Sequence, residues 1–261
     1  MKFSILISNY NKDRFIEECI ISSLNQDYKN LEIIIFDNKS TDNSLNIINK
    51  YSNKILVKSK SRISKVGPEN QIDLLLNAFK LSTGDIICLL DGDDFFLKNK
   101  VQKIQDVFSK NAKTDVVFDI PRIKKNDKLF PIKLKTKINK KIWPSTIPTS
   151  GISLRRNFFE YCINSNLFTS NPSLEIDFRL SFFVQNIYGN YIILDDYLTF
   201  YRQVSDGVMS ELRKYSFKWW IKRHEAHNYI TNVYLTNNIK YKKSLDYYLT
   251  NLIIYFLRII K

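Results

Sequence analysis

The chain has 261 residues, 44% hydrophobic and 14% aromatic, which is enough apolar material for one substantial core and excludes general disorder. With six Gly, six Pro and no internal repeat, low-complexity and repeat architectures are excluded as well. The net charge of +14 is concentrated: nine Lys or Arg stand against one acid over 121–143 and ten against two over 212–261, leaving the rest at net −2. Such surfaces attract phosphorylated substrates, acidic lipids or nucleic acid without choosing among them.

The amino terminus enters a strand pattern at once, Phe3-Ser4-Ile5-Leu6-Ile7, with no basic start and apolar run of a signal peptide, so a cytoplasmic location is expected. A helix over 14–25 follows, with Phe15, Cys19, Ile20 and Leu24 on one face. A strand over 31–36 leads to a helix over 43–51 carrying Leu45, Ile48 and Tyr51, capped by Ser40-Thr41-Asp42. Further strands are predicted over 54–57, 86–90 and 116–120. Apolar runs alternating with helical patterns predict an α/β fold with a parallel sheet. Cys19, Cys88 and Cys162 are odd in number and lie beside apolar residues, as buried thiols do.

Ligands of open parallel sheets bind beyond the carboxyl ends of the strands. Here those ends read Ser8-Asn9-Tyr10-Asn11, Asp37-Asn38 and Asp91-Gly92-Asp93-Asp94. An aromatic ring, a carboxylate and a carboxylate cluster at one edge suit a base, a ribose and a charged phosphate. Three carboxylates within four residues repel one another unless a cation or strong donors intervene. Oxygen ligands favour Mg²⁺ or Mn²⁺, shared between carboxylates, water and substrate phosphates. The plainer reading is an acidic loop at the start of a helix over 99–108.

The series Ser4 to Asn11, Ser22-Ser23-Leu24-Asn25-Gln26-Asp27-Tyr28, Leu31 to Asp37, Asn38-Lys39-Ser40-Thr41-Asp42 and Gly84-Asp85-Ile86 into Leu89-Leu90-Asp91-Gly92-Asp93-Asp94 resembles the family 2 inverting glycosyltransferases. The resemblance is strong over 1–110 and continues to about 210. It implies a GT-A fold, a Rossmann-like sheet flanked by helices, with a nucleotide-sugar half over 1–110, an acceptor half over 111–210 and a basic helical extension over 211–261. It also implies that Asp37 meets the base, usually uracil, and that Asn9, Tyr10 and Asn11 border it. Asp91 and Asp93 would hold the ribose and a diphosphate-bound metal, with Asp94 as a supporting carboxylate. The family's Arg-Asn pair is Leu76-Asn77 here, so only Asn77 carries over as a donor contact.

Pro148 to Arg156 and Glu175-Ile176-Asp177-Phe178-Arg179-Leu180 resemble the family's acceptor half, which implies a base that deprotonates the acceptor hydroxyl. Glu175 and Asp177 are the candidates, Glu175 slightly favoured. On a helix they would point about 200° apart, so only one would face the cleft. Tyr201-Arg202-Gln203-Val204 matches a segment often reading Tyr-Arg-x-His. Arg202 suits phosphate oxygens, whereas Val204 removes a metal ligand that Asp206 could replace.

Helices are predicted over 215–234 and 241–261. In the second, Leu249, Leu252, Ile253, Phe256, Leu257 and Ile260 form one apolar stripe, too short to span a bilayer. This amphipathic helix would pack on the core, form an oligomer or lie on an anionic membrane, Trp219-Trp220 among Lys218, Lys222 and Arg223 favouring the last. His224 and His227, three apart, make only a weak metal motif. A nucleic-acid role leaves the strand-end acids unexplained, and a sugar nucleotidyltransferase would start with a Gly-rich loop where Asn9-Tyr10-Asn11-Lys12 stands. A catalytically silent binding protein of the same fold is the other rival. The expected reaction moves a sugar from a nucleoside-diphosphate donor to a glycan or lipid-linked saccharide.

Overall fold

The computed structural model describes residues 1–125, 128–131, 146–203 and 212–259. The first half alternates strand and helix: β1 (Phe3–Asn9), α1 (Ile16–Leu24), β2 (Leu31–Asp37), α2 (Ser44–Asn49), β3 (Leu56–Ser59), α3 (Gly67–Leu81) and β4 (Ile86–Asp91). Next come β5 (Phe95–Phe96), α4 (Lys100–Lys110), β6 (Val116–Asp119), β7 (Arg122–Lys125) and β8 (Lys128–Pro131). The second half holds β9 (Ile152–Arg155), α5 (Arg156–Asn164), α6 (Ile176–Phe183), β10 (Tyr191–Leu194), β11 (Thr199–Arg202), α7 (Phe217–Thr236) and α8 (Leu245–Ile259).

Seven strands form the main sheet in the order β10-β6-β9-β4-β1-β2-β3. All neighbours are parallel except β9, antiparallel to both β4 and β6. β1 and β4 are buried along nearly their whole length, which explains why they read as continuous apolar runs rather than alternating ones. Burial then divides by face. Leu6, Ile34, Leu89 and Leu154 join one core cluster, and Ile5, Ile33, Cys88 and Val117 join the other, as the two-residue period of a strand requires. Cys19, Cys88 and Cys162 are buried free thiols.

The strand predicted over 54–57 starts at Leu56 instead. The N–H groups of Lys54 and Ile55 both donate to Tyr51 O, so the turn that ends the preceding helix takes these two residues. A smaller sheet, β5-β11-β7-β8, was not legible as such, since its strands are two to four residues long. It brings the end of β11 alongside the turn after β4.

α7 is part of the core. Its Ala226, Tyr229, Ile230 and Val233 lie in the same cluster as Leu180 and Phe182 of α6, and Tyr229 Oη donates to Arg179 O at 3.1 Å. α8 packs on α7 with Thr250 and Ile254 buried. Asp246 ties the two helices, its carboxylate pairing with Arg223 and lying 3.1 Å from His227 Nε2.

Candidate active site

Strand register assembles the site. Asn9 sits opposite Asp37, and Ser8 opposite Asp91, so β1, β2 and β4 end level with one another. Above them opens a cleft of about 510 Å³ lined by Tyr10, Asp91, Asp93, Glu175, Asp177 and Arg202 among others, a volume typical of small-molecule sites.

Of the candidate donor residues, Asn9, Tyr10 and Asn11 line the cleft. Asn11 takes a left-handed conformation, φ 50°, tolerated by Asn better than by most residues. Its N–H donates to Ser40 Oγ at 2.9 Å and its Oδ1 accepts from Thr41 N–H at 2.8 Å, locking the two loops together. The Tyr10 ring lies 4.6 Å below the Arg62 guanidinium, a cationic cover for an aromatic face. Arg62 belongs to a loop held by Asn70, whose Oδ1 accepts from Ile63 N–H and whose Nδ2 donates to Ser64 O and Val66 O.

Asp37 is placed differently from the expectation. It is fully buried, its Oδ1 accepting from Ser40 N–H at 2.8 Å and its Oδ2 from Asn9 Nδ2 at 2.8 Å and Ser40 Oγ at 2.6 Å. It does not line the cleft and acts by fixing Asn9 and Ser40. Asn77 is also outside the cleft, its Nδ2 donating to Asp73 O and Oδ1.

The acidic cluster separates into three roles. Asp91 Oδ1 accepts from Ser8 Oγ at 2.9 Å and from Gln71 Nε2 at 2.5 Å. Burial, and then the neighbouring Asp93, push its carboxyl up to about 6. Asp93 pairs with Lys12 Nζ at 3.0 Å. Asp94 is fully buried, accepting from Ser150 Oγ at 2.6 Å and Arg202 N–H at 2.8 Å, and does not face the cleft. Burial followed by the charges of Asp93 and Asp91 holds its carboxyl well above the usual range. Asp94 is therefore a strut between the turn after β4, β11 and the turn before β9, because its oxygens are spent inside the protein. The helix-start reading fails too: α4 begins with Asn99 as its cap and has no acid in its first turn.

Sequence reasoning missed what holds Ser150. Lys100 is fully buried and donates to Asp119 at 2.6 Å, Ser150 O at 2.7 Å and Thr199 Oγ1 at 2.7 Å. A lysine in an otherwise amphipathic helix reads as surface, and no local pattern distinguishes this one. Gly92 is required by close approach, since a Cβ there would meet Asn9 Oδ1 at 2.5 Å.

Of the acidic cluster, Asp91 and Asp93 line the cleft. Among the described residues no three acidic, His or Cys side chains gather as a complete metal shell. The pair fits Mg²⁺ or Mn²⁺, which take one or two carboxylates and fill the remaining positions with water and diphosphate oxygens. Val204 and Asp206 lie outside the described residues. His224 and His227 are engaged with Asn228 and Asp246, and neither lines the cleft.

Arg202 Nη1 donates to Asp93 O at 2.7 Å and Nη2 pairs with Glu18, while the guanidinium lies 4.9 Å from the Phe15 ring and 4.8 Å from that of Phe95. Glu175 and Asp177 both line the cleft, contrary to the helical-wheel expectation. The reason is that α6 begins at Ile176: Glu175 is its extended cap residue, φ −67° and ψ 156°, so the 100° step per residue does not relate the two acids. Glu175 pairs with Lys222 of α7. Burial, then Glu175, push the Asp177 carboxyl up to about 8.

The polar strand ends of a Rossmann-like sheet and two further acids, Glu175 and Asp177, thus share one cleft. Residues 4–165 match the family described as Glycosyl transferase family 2, and the chain belongs to that family. An uncharacterized glycosyltransferase of Nostoc sp. is 31% identical over 175 residues, covering 61% of this chain and 52% of that protein. The Escherichia coli UDP-Glc:alpha-D-GlcNAc-diphosphoundecaprenol beta-1,3-glucosyltransferase WfaP is 37% identical over 100 residues, 38% of each chain. The chain therefore spans about half or less of these relatives' length. Residues 1–349 of Staphylococcus aureus TarS in complex with UDP-GlcNAc superpose with a TM-score of 0.69 at 18% identity, covering 97% of this chain and 70% of that one. This likeness shows the GT-A fold.

Proposed function

We propose that the chain transfers a sugar from a nucleoside-diphosphate donor, a UDP-sugar, to a hydroxyl of a glycan or lipid-linked saccharide with inversion at the anomeric carbon. The observation that carries this reading is one cleft lined both by the strand-end carboxylates Asp91 and Asp93 and by Glu175 and Asp177 at the start of α6. UDP in the TarS complexes and the diphosphoundecaprenol-linked acceptor in the name of WfaP support the donor and acceptor classes.

In this reading Tyr10 and Asn11 border the base, and Asp91 holds the ribose. Asp93 and Asp91 would hold Mn²⁺ or Mg²⁺, which would supply positive charge against the diphosphate. Arg202 exchanges part of its contact with the half-exposed Glu18 for phosphate oxygens. Asp177 is the base: Glu175 is occupied by Lys222, whereas the high proton affinity of the Asp177 carboxyl suits a group that must receive a proton. The acceptor hydroxyl oxygen forms its bond to the anomeric carbon and its proton passes to Asp177. The bond from that carbon to the diphosphate breaks, its electron pair leaving with the phosphate oxygen. The residue ranges 1–110, 111–210 and 211–261 serve as donor half, acceptor half and extension.

Calorimetric titration with UDP and Mn²⁺, comparing wild type with Asp93→Ala, tests the donor side. Metal-dependent binding by wild type alone is expected, and its absence would sink the reading. Product analysis with UDP-glucose and UDP-GlcNAc separates the rivals, since a transferase releases UDP and a silent binding protein releases nothing. A sugar nucleotidyltransferase would instead release pyrophosphate from UTP and a sugar phosphate.

The exposed face of α8 supports a membrane-surface location. Leu245 is 89% exposed, and Tyr248, Leu249, Leu252, Tyr255, Phe256 and Ile259 are each more than half exposed. Lys240, Lys242, Lys243 and Arg258 are exposed around them, and Asp246, the acid of this segment, is turned to Arg223 and His227. An apolar stripe with a cationic rim matches an anionic lipid surface. A second copy would set like charges against each other at the rim. No helix among the described residues is long and apolar enough to cross a membrane.

A further inference from the structure

Along α7 the buried stripe runs Val233, Ile230, Tyr229 and Ala226. One turn further toward the amino terminus, four residues before Ala226, the same stripe reaches Lys222. An ammonium therefore stands where an apolar side chain would continue the packing against α6. It is largely withdrawn from solvent, with side-chain exposures of 18% for Lys222 and 14% for its partner Glu175. Withdrawing both charges is unfavourable unless each compensates the other, and a Met or Leu at 222 would pack against α6 without that requirement.

The position of the pair sets it apart from an ordinary surface bridge. Glu175 and Asp177 line the cleft together. Among the described residues, the groups whose charge or hydrogen bond bears on Asp177 include Glu175 at the cap of α6, Lys222 of α7, Asp91 at the end of β4, Tyr201 of β11 and the Phe178 N–H, which donates to Asp177 Oδ1 at 2.6 Å. Two of these are carboxylates. Arg179, the nearest arginine in sequence, is turned away and bound to the carbonyls of Leu167, Leu174, Ser170 and Asn171.

We infer that Lys222, supplied by the carboxyl-terminal extension, is a positioning residue of the transfer site: its ammonium fixes Glu175 at the cleft wall and provides the positive charge against which Asp177 is ionised. The inference rests on the reading in which Asp177 receives the acceptor's proton. It also makes the extension part of the catalytic unit, because the docking of α7 and its clamp to α8 through Asp246 decide where Lys222 stands.

The test is a carboxyl ¹³C NMR titration of the full chain, with the Asp177 resonance identified by its loss in Asp177→Asn. Wild type is expected to titrate near 8. Lys222→Met is expected to move that midpoint up by about one pH unit or more, and Lys222→Arg to leave it near the wild-type position. In parallel, the pH at which sugar transfer rises should move up in Lys222→Met, lowering kcat about tenfold at pH 7. Lys222→Gln, uncharged but polar, reads the same quantity should Lys222→Met not fold. An Asp177 midpoint unchanged in the uncharged variants, or a moved midpoint with an unchanged pH profile of transfer, overturns the inference. Loss of transfer in wild type itself would strike the transferase reading, and the titration would still judge the Lys222 contact.

Discussion

Lys12 Nζ lies 3.0 Å from Asp93 Oδ2, an ion pair that bridges the loop after β1 and the turn after β4 at the cleft. In the proposed reading Asp93 holds the metal and diphosphate, so the charges of Lys12 and Asp93 would bear on the same ligand. Lys12→Met should weaken Mn²⁺-dependent UDP binding by about tenfold, the scale of one lost charge-assisted contact. Asp93→Ala should remove the metal dependence altogether. Calorimetry of the two variants side by side checks both, and equal UDP affinity in Lys12→Met and wild type would remove Lys12 from the donor site.

Ser150 is the hinge on which Asp94 and Asp91 are hung: its Oγ donates to Asp94 at 2.6 Å and accepts from Asp91 N–H at 3.1 Å. Ser150→Ala leaves a buried carboxylate short of a donor, which costs about 1–3 kcal/mol. A fall in Tm of roughly 5 °C is expected for a chain of this size, with weakened UDP binding because the turn carrying Asp93 loosens. Scanning calorimetry that shows no change would mean that Asp94 is satisfied by Arg202 alone.

Asp177 links stability to pH in a defined direction. Its folded carboxyl titrates near 8, against 3.8 for an ordinary aspartate. The folded state thus favours the protonated form, and stability present below pH about 4 is lost as pH rises through 8. Asp177→Asn removes that liability. It should abolish transfer yet raise Tm at pH 8 by a few degrees, with the gain vanishing at pH 4. Melting curves at the two pH values decide the matter, and an equal effect at both would show that Asp177 is not the strained group.

Glu32 behaves in the opposite sense. Burial by itself would raise its carboxyl, but hydrogen bonds from Ser4, the Thr83 N–H and Lys2 outweigh it and hold the group down to about 2. The stability it contributes is present above the ordinary value of 4.5 and is lost as pH falls from there toward 2. Glu32→Gln should lower Tm at pH 7 by a degree or two, the group being largely solvent-screened, and should make no difference at pH 2.

The face of α8 is tested without removing α7, whose residues belong to the core. Leu249→Glu with Phe256→Glu should abolish flotation with anionic phosphatidylglycerol vesicles while leaving the fold intact by circular dichroism. Unchanged flotation would exclude this face as the contact. A change in oligomeric state instead, read by light scattering, would assign the face to a second copy.

The sequence by itself determined the alternation of strand and helix and the polar endings of β1, β2 and β4, because strand interiors and ligand-facing ends obey local rules of burial and polarity. It also singled out Tyr10, Asp91, Asp93, Glu175, Asp177 and Arg202 as candidates, and these six line one cleft. Which member of an acidic run faces a ligand and which faces the core is settled by partners distant in sequence, so only the tertiary structure separated Asp94 and Asp37 from Asp91 and Asp93. The same holds for the two acids near α6, whose relative direction depends on where the helix starts. It holds above all for Lys222 and Lys100, 47 residues from Glu175 and 50 from Ser150. A lysine's local sequence carries no mark of burial, and its partner is known only once the chain has folded back upon itself.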